Sequence, residues 1–154
     1  MRQIQCPTRA TRDGMQADKR TRARELAIQG LYQLDVQGPD LLERLGPFFI
    51  EADDDDFVRK LASDWTKGTW ENLAQCDEII TASTIKWQFT RLAPVDKGIL
   101  RLSVYQLKFC PDIPPKVVIN EAIELAKKYS TDKSSAFVNG VLDAVLKKQE
   151  TDDL

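Results

Sequence analysis

The chain has 154 residues, 42% of them apolar, with a net charge of −2 and only seven Gly and seven Pro, the make-up of one ordinary packed domain. No apolar run approaches the ~20 residues that cross a bilayer, and the opening MRQIQCPTRATRDG lacks the apolar stretch of a secretion signal, so a cytoplasmic protein is expected. There is no histidine, and Cys6, Cys76 and Cys110 lie far apart; this disfavours a Cys/His zinc site, excludes Ser–His and Cys–His nucleophiles, and leaves no enzyme, metal or cofactor reading supported.

Charge is unevenly spread. Residues 1–24 carry seven Lys/Arg against Asp13 and Asp18, whereas residues 35–57 carry eight acids against the single base Arg44. A basic arm of this kind points to an anionic partner. Residues 1–17 contain Pro7 and Gly14 and show no periodicity, so they read as a mobile arm, with Met15 as an alternative start.

The first helix is predicted from Ala17–Asp18 to about Val36. Ala23, Leu26, Ala27, Gly30, Leu31 and Leu34 recur at helical spacing, and Gly38-Pro39 stops the run. Lys19, Arg20, Arg22 and Arg24 crowd its opening turns, where the helix dipole disfavours cations by ~0.3–1 kcal/mol each. Arg20 and Arg24 are also a like-charged i, i+4 pair. A bound polyanion would relieve both penalties; an ordinary solvated basic end is the alternative.

Residues 39–50 suggest a short helix from Pro39, broken near Gly46-Pro47. The run Asp53–Asp56 lacks the alternating ligands, Gly and distal Glu of a calcium loop, and instead starts a helix, whose positive end favours acids. From Phe57 to about Ile85 the pattern is one long helix, with Gly68 marking a close crossing or a kink. Trp65, Trp70 and Trp87 read as core or half-buried ballast, and Trp87-Gln88-Phe89 as a connecting turn or helical piece.

Pro94 to Phe109 is apolar nearly all round, as in a helix enclosed by neighbours. Its polar points, Asp96, Lys97 and Arg101, are candidates for contacting a protein partner. Pro114 to Leu146 reads as two helices around the polar turn Ser130-Thr131-Asp132, with stripes on Val118, Ala122, Leu125, Ala126 and Tyr129 and then on Val138, Val141, Leu142 and Val145. Asn139-Gly140 inside the second helix implies a close helix approach, since Gly there costs ~1 kcal/mol relative to Ala. No alternating strand appears, so the fold class is all-α, a single bundle of six or seven helices over residues 18–150.

Three stretches carry a family resemblance: RARELAIQGLYQLD, LAPVDKGILRLSVYQL and IPPKVVINEAIELAKKYSTDKSSAFVNGVLD. In this order they resemble the NusB family of bacterial transcription antitermination factors, from Arg20 to Leu146. The resemblance implies an RNA-binding protein that holds single-stranded boxA RNA together with ribosomal protein NusE and joins transcribing RNA polymerase, supporting transcription of ribosomal RNA operons. It places Arg20, Arg22 and Arg24 at the family's arginine-rich helix opening, with Gln29 and Tyr32 further along. It also places Phe137 in the FVNG motif near the RNA surface.

The residue types suit that task, because single strands are held by cations along phosphates and flat side chains under bases. For Tyr32 a half-buried tyrosine, and for Phe137 a core phenylalanine, remain equal readings. Lys133 stands where relatives often carry an acid and would add attraction to RNA; Thr21 replaces an arginine of the more basic relatives. Two alternatives stay open. One is a helical adaptor that binds only protein. The other is a relative of the N-terminal domain of RNA methyltransferases, against which stands the lack of a Gly-rich methyl-donor segment.

Overall fold

The helical spacing of the sequence is realised as a helical bundle. The computed structural model describes residues 9–84 and 86–152. Among them are α1 (Arg9–Gln37), α2 (Gly46–Ala52), α3 (Asp56–Glu71), α4 (Leu73–Ala82), α5 (Lys86–Arg91), α6 (Pro94–Phe109), α7 (Pro115–Tyr129) and α8 (Asp132–Asp152), with a 3-10 turn at Pro39–Arg44. No strand occurs among the described residues.

The bundle is built around α6. Most of its surface is covered by neighbours: Ile99, Leu100, Leu102, Val104 and Leu107 are all buried, while Lys108 and Phe109 at its end are exposed. α1, α3, α4, α7 and α8 pack on it from different directions. α1 lies between α3 and α6, with Ala23, Leu26, Ala27, Leu31 and Leu34 turned inward and buried as the spacing predicts. The α7–α8 hairpin closes the other side through Val118, Ala122, Leu125, Val138, Leu142 and Val145. Each such buried aliphatic side chain contributes roughly 1.5–3 kcal/mol of transfer free energy.

Local chemistry sets the ends. Gly38 adopts φ 104°, a left-handed conformation that suits glycine, and its N–H bonds Leu34 O at 2.9 Å to close α1. Asp55 caps α3 by accepting from the Val58 N–H at 3.1 Å, so the aspartate run does open a helix. Thr131 Oγ1 accepts from the Ser134 N–H at 3.0 Å, and the polar turn caps α8 as expected.

Three details depart from the sequence reading. α1 begins at Arg9, so residues 9–17 of the expected arm are helical; residues 1–8 lie outside the described residues. The helix expected over 57–85 is two helices. Asn72 separates them, its side-chain amide donating to Gly68 O at 2.8 Å while its N–H bonds Gly68 O and Thr69 O, both at 3.2 Å. Gly68 itself marks a close crossing rather than the break, since a Cβ there would overlap the Tyr105 hydroxyl on α6. Gly140, by contrast, faces open space: a Cβ would meet nothing within 4 Å, and no close approach compensates for it.

Trp65 is buried and Trp70 packs partly buried against the core, as ballast; the Trp87 side chain lies outside the described residues. Cys76 is buried between helices, and burial pushes its thiol up to about 11, so it behaves as a small hydrophobe. Cys110 is half-buried, its thiol also raised by burial, and Cys6 lies outside the described residues.

Candidate nucleic-acid interface

The basic stretch of α1 from Lys19 to Arg24 does not present its arginines alike. Arg20 is exposed and makes no ion pair among the described residues. Arg24, one turn further along, is only 2% exposed because three helices close over α1 at that level. Its guanidinium lies 5.0 Å from the ring centroid of Trp65 on α3. Its Nε donates to Gln106 Oε1 on α6 at 3.4 Å, and Nη1 stands 4.0 Å from Glu121 on α7. Burial pulls the Arg24 guanidinium below its ordinary value, opposed by Glu121 and reinforced by Arg20. Arg24 is therefore an internal tie among α1, α3, α6 and α7, with no face left for a ligand. Thr21 points the same way and donates to Glu121 at 2.9 Å.

Arg22 lies between these extremes. Its side chain is 37% exposed; Nε is 3.4 Å from Asp53, Nη1 is 3.5 Å from Glu25, and Nη2 donates to Ala52 O at 3.2 Å. Beside it Lys19 Nζ sits 2.9 Å from Asp55. Because α1 begins at Arg9, Lys19 to Arg24 stand well inside it, and the dipole penalty expected for a helix opening does not apply to them. The charges of Lys19, Arg22 and Arg24 are met within the molecule by acids from the segment between α2 and α3 and from α7, so a bound polyanion is not needed to balance them.

Beyond the arginines, α1 borders a groove of about 440 Å³ lined by Glu25, Ile28, Gln29, Tyr32, Gln33, Val95 and Tyr129. Gln29 and Tyr32, both singled out from the sequence, meet here, and Tyr32 is 42% exposed. Tyr129 was not singled out, having been counted as part of an apolar stripe. Its hydroxyl donates to Glu25, and Lys128 Nζ reaches the same carboxylate at 3.2 and 3.3 Å. Burial first, and then the Glu25 bond, push the Tyr129 hydroxyl above its ordinary value; the Glu25 hydrogen bond does the same for Lys128. Glu25 is thus a buried anchor that fixes an aromatic ring at the groove edge. A sequence signal was available: Tyr129 is the last residue before a polar turn, where a ring stands at a rim.

Lys133 is exposed in the first turn of α8, while Phe137, one turn on, is half-buried against the core. The α8 start is tied to α6 by Ser134 Oγ, which donates to Asp96 Oδ2 at 3.1 Å. Asp96 is buried, and Lys97 is half-buried with its ammonium 5.9 Å from the Phe89 ring centroid. Arg101 is 8% exposed and committed to the fold. It bonds Asp77 through Nε at 2.8 Å and Nη2 at 2.9 Å, and Asp35 through Nη1 at 3.1 Å. Burial alone would lower its guanidinium; the bonds to Asp77 and Asp35 more than reverse this. Of the three residues marked for a protein partner, only Lys97 keeps appreciable exposure. The physical reason is the central place of α6: polar groups on an enclosed helix need internal partners.

A model described as the NusB family matches residues 21–147. The chain is 45% identical over 132 residues to the transcription antitermination protein NusB of Anaeromyxobacter dehalogenans, covering 82% of this chain and 89% of that one. It is 40% identical over 126 residues to that of Syntrophus aciditrophicus, covering 82% and 78%. Among solved structures, NusB of T. maritima superposes with a TM-score of 0.74 at 37% identity, over 88% of this chain and 97% of that one. A chain of a crystal structure of antitermination factors NusB and NusE in complex with dsRNA gives 0.74 at 28% identity, over 85% and 98%. Matched along most of its length in sequence and in fold, the chain belongs to the NusB family.

Proposed function

We propose that this chain is a transcription antitermination factor, not an enzyme, that binds single-stranded boxA RNA together with a ribosomal protein of the NusE type. The pair acts in the cytoplasm on the RNA polymerase elongation complex and supports transcription of ribosomal RNA operons. The observation that carries this reading is the shared architecture, over 85% of the chain, with a chain of the complex of antitermination factors NusB and NusE with dsRNA. The fold presents a fitting surface: Arg20 and Lys133 are exposed cations, and Gln29, Tyr32 and Tyr129 line a groove with aromatic walls. Cations follow the phosphates and the rings receive unstacked bases. Arg22 joins this surface when its acids release it. Phe137 supports the surface from the core side, and Arg24 positions α1 from within. Lys97 is the best placed of the α6 residues to meet the protein partner, with Asp96 and Arg101 holding the helix beneath it.

The test is binding of boxA-like and scrambled single-stranded RNA, with and without NusE, across a salt series. With Z phosphate contacts, log affinity falls with a slope of roughly −0.7Z against log salt. Arg20→Ala is expected to flatten that slope by about 0.7, and Tyr32→Ala to weaken binding about tenfold through lost stacking. Salt-independent behaviour, or no binding even in dilute buffer with NusE present, would leave the protein-only adaptor as the surviving reading.

A further inference from the structure

The segment from Asp53 to Asp56 joins α2 to α3 and stands against the basic stretch of α1 around Lys19 and Arg22. Its carboxylates alternate. Asp53 and Asp55 face α1 and hold Arg22 and Lys19 at 3.4 and 2.9 Å. Asp54 and Asp56 are fully exposed and, among the described residues, pair with Arg59 alone, at 3.8 and 3.5 Å. Arg59 also props the segment from behind, donating through Nη2 to Ile50 O at 2.7 Å and through Nε to Asp53 O. Asp53 Oδ1 accepts from the Asp55 N–H at 2.9 Å, and Asp55 caps α3. The carboxylates that reach α1 are therefore held in place by the backbone around them.

We propose that this acidic segment is an internal competitor for RNA: Asp53 and Asp55 hold Arg22 and Lys19 much as phosphates would, and RNA gains these cations only by displacing them. The inference rests on the RNA-binding reading above. Two features make the exchange feasible. The pairs are exposed, with side-chain exposures of 37% and 32% for Lys19–Asp55 and 37% and 24% for Arg22–Asp53, and ion pairs at that depth are weak and screened by salt. Carboxylate and phosphate oxygens also use the same guanidinium and ammonium donors, so one can replace the other without moving α1. The consequence is a raised threshold. A weak or short polyanion does not repay the lost pairs, whereas RNA that also engages the Tyr32–Tyr129 groove does.

The experiment compares three proteins binding boxA-like RNA in the presence of NusE. In Asp53→Asn/Asp55→Asn the amide oxygens still accept from the Asp55 and Val58 N–H groups, so only charge is removed. Asp54→Asn/Asp56→Asn makes the same charge change on carboxylates that do not touch α1. The first pair is expected to tighten binding roughly threefold to tenfold at 0.1 M salt. The second pair should give less than half that gain. In a Lys19→Ala/Arg22→Ala background the gain of the first pair should vanish, because the competed cations are gone. Equal gains from both pairs would mean a long-range field and overturn the proposal. So would an unchanged affinity in the first pair while the wild type binds, or a gain that survives loss of both cations. If neither the wild type nor any variant binds RNA at any salt, the RNA-binding reading itself falls and takes this inference with it.

Discussion

Arg101 and Arg22 each face two carboxylates, but from different depths. Arg101, on α6, reaches α4 and α1, with its guanidinium bidentate on Asp77 and a third bond to Asp35, all between 2.8 and 3.1 Å. Arg22 stands at the surface of α1, 3.4 and 3.5 Å from its two acids. The same side chain meeting the same chemistry thus serves two ends. The Arg101 guanidinium has little water to turn to and so depends on Asp77 and Asp35, whose own side chains stay 28% and 24% exposed. At the surface, water and salt can replace any partner, so the pairing is exchangeable. Depth, more than residue type, separates architecture from a ligand-competent cation in this family member.

The largest expected effect tests the buried side of that contrast. Arg101→Ala should destabilise the protein by about 3 kcal/mol, because it removes three charge-assisted hydrogen bonds to half-buried carboxylates. Arg101→Lys should recover only part, since an ammonium cannot make the bidentate contact. Urea unfolding checks both, and a loss below about 1 kcal/mol would place Arg101 with the surface pairs.

Arg24 sharpens the comparison from an intermediate position, buried but imperfectly satisfied: its Nη2 and the neighbouring Gln106 Nε2 have no hydrogen-bond partner among the described residues. Arg24→Ala should cost about 2–3 kcal/mol through lost packing on Trp65 and an open cavity. Arg24→Met, of similar length, should recover most of that, as apolar replacements of buried charges often do. RNA affinity of the Met variant should stay within about twofold of the wild type per unit of folded protein, since Arg24 acts from inside.

The surface pairs come next. Arg22→Ala and Asp53→Asn should each shift stability by less than about 1 kcal/mol, and the double variant should cost no more than the larger single change, a coupling read from a double-mutant cycle. Additive losses would show that the two residues act separately and would remove Arg22 from the clamp.

These outcomes bear on what the sequence could reveal. The apolar stripes of α1, α6, α7 and α8 were legible because burial repeats with the helix period, and each predicted face is the buried one. The motif phrases gave the family for the same region. The depth of Arg24 and Arg101 was not legible. A periodicity argument sends charged residues outward, and only the arrival of Trp65, Gln106 and Glu121, or of Asp35 and Asp77, from distant segments brings them in. The Asn72 break was hidden for a local reason: apolar spacing continues across it, and the side-chain bond that ends α3 leaves no mark on hydropathy. At the interface, Gln29 and Tyr32 were found by position along α1. Tyr129 was missed because its polar end, held by Glu25, looks in sequence like any apolar stripe residue.

The smallest expected effect is the most discriminating. The Asp55 carboxyl is held below its ordinary value of 3.8, first by its bond to Lys19 and then by the Val58 N–H. A carboxylate depressed in the folded state stabilises the fold above its unfolded value, and that contribution is lost as pH falls through the lower, folded value. Thermal melts between about pH 5 and pH 2 should therefore show a downward step below about pH 4 that Asp55→Asn reduces. The two causes respond differently to ionic strength. The Lys19 share is an exposed ion pair and should fade as salt rises toward 1 M, whereas the Val58 cap is a fixed hydrogen bond and should persist. A step that salt leaves whole would mean that the carboxylate is fixed by the backbone alone. Lys19 would then already be free for RNA, and the segment would have nothing to compete for at that position.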